Sequence, residues 1–185
     1  MNSKKPFDPV ALAAKIYRAR RRILGNIRTK TAIERYLIST RSRADFVAFY
    51  NIRLTKAHAD QLYGYLVRHM GRQTCPTIAS ALNGINRITG TIELSNASKV
   101  IASLDQTKPP YDKKVRGHLD LDYPNGDLKK ARDIYALLLQ RMSALLRQKD
   151  VSEALRAFDD KFPHVSGGKF LTKMKKLDLM LWQMP

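Results

Sequence analysis

Residues Ser95–Leu119 read SNASKVIASLDQTKPPYDKKVRGHL, and the fold follows from how this stretch is parsed. A small-polar turn leads into a short helix opened near Lys99. Pro109-Pro110 stiffen the loop after it, and Asp112 stands at the start of a second helix. Ser95 is placed to cap the first helix, where free N–H groups and small side chains let a phosphate approach. Asp112 is followed by Lys113, Lys114 and Arg116, a carboxylate set within a cationic rim.

Outward from this stretch the chain keeps the helical period. Pro124-Asn125-Gly126 marks a loop, and Asp127 caps the longest predicted helix, about 127–148, with Ile134, Leu137, Leu138, Met142, Leu145 and Leu146 along one face. Helices over 151–161 and 168–182 follow, with Gly167-Gly168 as a loop signal. On the other side, Asp8-Pro9 starts a helix carrying Val10, Ala13, Ala14, Tyr17, Ile23 and Leu24, which Gly25-Asn26 closes. Further helices are expected at 30–40, 43–50, 55–70 with Thr55 as cap, 76–88 and 96–104. Thr89–Leu94 is the single short strand candidate. The fold class is therefore all-α. The 185 residues suit one compact unit, with lobes 1–90 and 91–185 as its natural division.

The composition narrows the partner. Against 34 Lys+Arg stand 16 Asp+Glu, a formal charge of +18. Residues 1–43 hold twelve of the bases (Lys4, Lys5, Lys15, Arg18, Arg20, Arg21, Arg22, Arg28, Lys30, Arg35, Arg41 and Arg43) and two of the acids, Asp8 and Glu34. Such asymmetry is the electrostatic footprint of nucleic-acid binding, a solubilising face or an anionic-membrane patch being the alternatives. No apolar run approaches the roughly 18–20 residues that cross a bilayer, and Met1–Asp8 lacks the apolar core of a secretory signal. A single cysteine, Cys75, excludes an internal disulfide and is expected as a small buried residue. His58, His69, His118 and His164 lack metal-ligand spacing, so no metal or other cofactor is expected. Neither a phosphate loop nor a nucleophile elbow is present. The expectation from composition is a cytoplasmic protein, without membrane contact, whose partner is a nucleic acid.

The pairing of Lys99 in Ser95-Asn96-Ala97-Ser98-Lys99-Val100 with Asp112 in Tyr111-Asp112-Lys113-Lys114-Val115 resembles the helix-hairpin-helix DNA glycosylases. In that superfamily a hairpin grips the DNA backbone, a lysine opens its second helix in the lyase-competent members, and an aspartate follows after a loop. Ser95 and Ala97 stand where the family has hairpin glycines, and the Lys-to-Asp spacing is shorter than in its well-known members. The pattern is also similar to compact bacterial members, including glycosylases of phage defence. The resemblance implies helical lobes around a cleft, backbone contacts from Ser95, Asn96, Ser98, Lys113, Lys114 and Arg116, and catalysis by Asp112 and Lys99.

The chemistry has physical requirements. A glycosylase takes its target base out of the stack, and departure of the base leaves positive charge on the sugar. A fixed carboxylate stabilises that charge and orients or deprotonates water, the role open to Asp112. Asp112 is equally explained as the N-cap of its helix. Lys99 is either a nucleophile, if neutral, or a phosphate or Asp112 partner, if charged. A water-dependent, monofunctional reaction is slightly favoured. Tyr50, Asn51, Tyr111 and Tyr123 fall at loop-like positions where a side chain can stack on or wedge behind a flipped base. A non-enzymatic basic helical protein that binds DNA or RNA is the alternative.

Overall fold

The computed structural model describes residues 7–165 and 171–184. Lys4 and Lys5, the Gly167-Gly168 loop and the expected helix start at 168 lie outside them. The described residues form α1 (Pro9–Gly25), α2 (Ile27–Ile38), α3 (Arg43–Tyr50), α4 (Lys56–Gly71), α5 (Ile78–Thr89), α6 (Leu94–Leu104), α7 (Lys113–His118), α8 (Leu128–Leu146), α9 (Lys149–Lys161) and α10 (Lys173–Gln183). A 3-10 turn, Pro163–Val165, precedes α10, and there is no strand among the described residues. The fold is all-α.

Local chemistry sets the helix ends. Asp8 Oδ1 accepts from the N–H groups of Val10 and Ala11 at 2.9 and 3.1 Å, with Pro9 supplying the pre-set first φ. Thr55, Thr77 and Asp127 cap α4, α5 and α8 in the same way. Asn26 both ends α1 and caps α2, accepting from Arg28 N–H at 2.9 Å, so α2 begins earlier than the expected residue 30. The long 127–148 segment is confirmed to Leu146, with Ala131, Ile134, Tyr135, Leu138, Met142 and Leu145 buried.

Three expectations are corrected. Thr89–Leu94 is not a strand: Gly90 takes φ 73°, its N–H bonds Asn86 O at 2.8 Å, and Leu94 already begins α6. In α1 the core face is Ala13, Ile16, Ile23 and Leu24, while Val10 is 63% exposed. Cys75 is exposed rather than buried, lying in the non-helical link between α4 and α5.

One apolar cluster runs through the molecule, from Ile16 and Phe46 to Leu138, Phe158 and Met180. The helices interleave the two halves of the chain around it. α1 packs on α8, α9 and α10, and α2 packs on α10, so N-terminal and C-terminal helices share one side. α4, α5 and α6 pack together on the other side, with α5 reaching α8 and α7 resting on α10. Among the described residues no helix is long and apolar enough to cross a membrane.

Candidate functional site

A cleft of about 480 Å³ opens where the end of α3, the starts of α6 and α7, and one face of α10 meet. Each element contributes by its own periodicity. α10 turns Lys175, Asp178, Leu179 and Trp182 toward the cleft, spaced i, i+3, i+4 and i+7. α6 presents Ser95, Asn96 and Lys99, while its opposite residues Ala97, Val100 and Ile101 enter the core. α3 delivers Phe49, Tyr50 and Asn51, the last as a left-handed cap at φ 48°. The proline loop ends at Asp112, which lines the cleft and accepts from Val115 N–H at 2.9 Å, capping α7.

Of the residues singled out from sequence, Tyr50, Asn51, Ser95, Asn96, Lys99, Asp112, Lys113 and Lys114 all line this cleft. Ser98, Tyr111, Arg116 and Tyr123 do not. Ser98 is fully buried, its hydroxyl donating to Ser95 O at 3.0 Å and accepting from Tyr111 N–H at 2.8 Å, so it cannot reach a DNA backbone. Tyr111 is a core residue whose hydroxyl donates to Asp122 O at 2.5 Å, which removes it as a wedge. Tyr123 is 58% exposed, outside the cleft, with the Arg116 guanidinium 5.5 Å from its ring centre. Ser95 is not a cap, and Ser95–Ser98 is not a turn. Leu94 already begins α6, Glu93 holds the cap position, and the turn between α5 and α6 comes earlier, at Gly90.

Lys99 is 8% exposed, and burial pulls its amine below the usual lysine value while Asp112 and Glu93 pull it back up. Burial pushes the Asp112 carboxyl up, opposed by the N–H groups of Val115 and Lys114 and then by the Lys99 and Lys175 charges. A carboxylate raised toward neutrality beside a lysine lowered toward it is the electrostatic arrangement expected of acid–base or nucleophilic chemistry. Glu93 and Arg53 complete the polar wall, Glu93 accepting from Thr91 Oγ1 at 3.2 Å and from Asn96 Nδ2 at 3.5 Å.

Sequence reasoning missed a second lysine–aspartate pair. Lys175 Nζ donates to Asp178 Oδ2 at 2.9 Å, and lies 4.2, 5.3 and 5.7 Å from the ring centres of Tyr36, Phe49 and Tyr50. Burial raises the Asp178 carboxyl; the Lys175 cation opposes this and the Asp112 charge adds to it. Asp178 Oδ1 is the one buried side-chain polar atom without a hydrogen-bond partner among the described residues. The available signal was Asp178 inside the apolar run Leu177–Trp182, with Lys175 three residues before it. No group of three or more His, Cys, Asp or Glu side chains is arranged to hold a metal among the described residues.

No family model, no curated protein and no solved structure matches this chain.

Proposed function

We propose that the protein is a DNA glycosylase that draws a damaged or modified base into the α3–α6–α7–α10 cleft and cleaves its N-glycosidic bond. The observation that carries this reading is the meeting of Lys99 and Asp112, from α6 and the α7 cap, in one cleft with their ionisation pulled toward neutrality. The cleft's volume of about 480 Å³ falls in the range of small-ligand sites. Phe49, Tyr50 and Trp182 provide its aromatic lining for a flat ring.

Asp112 stabilises the cationic sugar as the base departs and accepts a proton from the attacking water. Lys113 and Lys114 at the mouth hold backbone phosphates. The partner is double-stranded DNA, bound by a monomer in the cytoplasm. Hypermodified phage cytosine, such as a glucosylated base, and oxidised or alkylated purines are the two substrate classes.

The testing experiment is a screen for free-base release from duplexes carrying each modified or damaged base. Release of one class supports the reading, with borohydride expected to trap no protein–DNA adduct if water is the nucleophile. An adduct abolished by Lys99→Ala would transfer that role to the Lys99 amine. Binding without release from any substrate would leave a non-enzymatic DNA-binding protein, a reading favoured by one observation: capping α7 already accounts for Asp112.

A further inference from the structure

A second groove, of about 500 Å³, shares a wall with the cleft. Phe49, Asn51, Lys114 and Trp182 line both cavities, so the two open on either side of one aromatic and cationic partition. Beyond that partition the groove is walled by α2, through Arg28, Thr31, Ala32 and Arg35. These positions are i, i+3, i+4 and i+7 on one helix face. The adjoining face of α2, with Thr29, Ile33 and Tyr36, is buried, as is Ala32 at its edge.

The groove differs from the cleft in charge. Glu93, Asp112 and Asp178 line the cleft, whereas among the described residues no carboxylate side chain lines the groove, whose ionisable side chains are Arg28, Arg35 and Lys114. Seven residues of α-helix advance about 10 Å. Arg28 and Arg35 therefore offer two guanidinium forks two turns apart on one helix face, each suited to a phosphate, with the small Ala32 between them. Lys114 is held toward the shared partition, its Nζ donating to Trp182 O at 3.0 Å and lying 5.3 Å from the Trp182 ring centre.

We infer that the α2–α3–α10 groove is a phosphodiester subsite that takes the nucleic-acid strand on leaving the cleft. It gives the charge of the N-terminal region a specific place of contact. The assignment rests on the DNA-partner part of the proposal above and not on its chemistry.

The test is a salt titration of binding to a duplex oligonucleotide of ordinary bases, comparing wild type with Arg28→Gln/Arg35→Gln. Both side chains are exposed, so the thermal midpoint is expected to stay unchanged. The slope of log affinity against log salt should become shallower by about 1 for each phosphate that the variant no longer neutralises. Arg132→Gln/Arg156→Gln removes the same charge from positions that line neither cavity, and should leave the slope near wild type. An unchanged slope in the α2 variant, an equal loss in the control, or a wild type that does not bind the duplex overturns the inference. A groove-dependent slope in a protein that releases no base supports the inference while removing the glycosylase reading.

Discussion

Lys175 and Asp178 form an ion pair at 2.9 Å with their side chains only 2% and 5% exposed, one turn apart on the face of α10 that walls the cleft. Burial withholds most of the solvent from both charges, so each depends chiefly on the other; the surrounding rings and the Asp112 carboxyl favour the Lys175 cation, while Asp112 opposes the Asp178 charge. The pair is coupled to Asp112: burial dominates the Asp112 carboxyl, the Lys175 charge adds a smaller downward pull, and the Asp112 charge pushes Asp178 up.

Removing one partner strands the other. Asp178→Ala is expected to cost about 3–5 kcal/mol of stability, whereas Lys175→Met/Asp178→Leu costs much less, because it also removes the stranded charge. Chemical denaturation of the three proteins checks this. A double variant as unstable as Asp178→Ala would show that packing, not charge, governs the position.

Asp112 serves α7 as a cap whatever else it does. Asp112→Ala is expected to lower stability by about 1 kcal/mol, while Asp112→Asn, which retains an acceptor for Val115 N–H, stays within a few tenths of a kcal/mol apart from the effect of the lost charge. Thermal melts at neutral pH distinguish the two.

The pH dependence has a defined sign. Asp112 binds its proton more readily folded than unfolded, since burial raises its carboxyl. The folded state therefore gains protons as pH falls through that raised value, and the stability of wild type relative to Asp112→Asn is expected to rise toward acid and level off below the ordinary carboxylate value. In base release the same shift places the acid limb of kcat/KM above the usual carboxylate range. Lys99 opposes the shift, so Lys99→Met moves that limb to higher pH. Movement to lower pH would contradict the placement of the Lys99 charge beside Asp112.

Packing between α4 and α5 depends on one missing side chain. A Cβ at Gly84 would stand 2.6 Å from Tyr65 Cε2 and 2.9 Å from its Cζ. Gly84→Ala is expected to cost about 1–3 kcal/mol by overpacking. Gly117→Ala, with nothing within 4 Å of its Cβ inside α7, should gain about 0.5–1 kcal/mol from helix propensity. Melting temperatures moving in the same direction would contradict this packing.

These contrasts show what was legible in the residues. Asp8-Pro9, Thr55 and Asp127 announced helix starts because a cap is a local hydrogen bond, satisfied within a few residues. The Thr89–Leu94 segment misled because its β-branched pattern is also local, and the left-handed Gly90 overrode it. Tyr111 looked like a loop aromatic because its partners, Ser98 and Asp122, come from other segments. Lys99 and Asp112 could be singled out because they sit in one stretch of chain. Lys175 and Asp178 could not, since only the docking of α10 against α2 and α7 turns an aspartate in an apolar run and the lysine three residues before it into part of the same cleft.

The central claim is tested most directly by single-turnover base release for wild type and Asp112→Asn on whichever modified duplex the screen identifies, with affinity for that duplex measured separately. The account expects Asp112→Asn to keep wild-type affinity within a few-fold and to lose release by a factor of about 100 or more. Release at the wild-type rate with Asn at position 112 would contradict it, and would leave Asp112 as the cap of α7 alone.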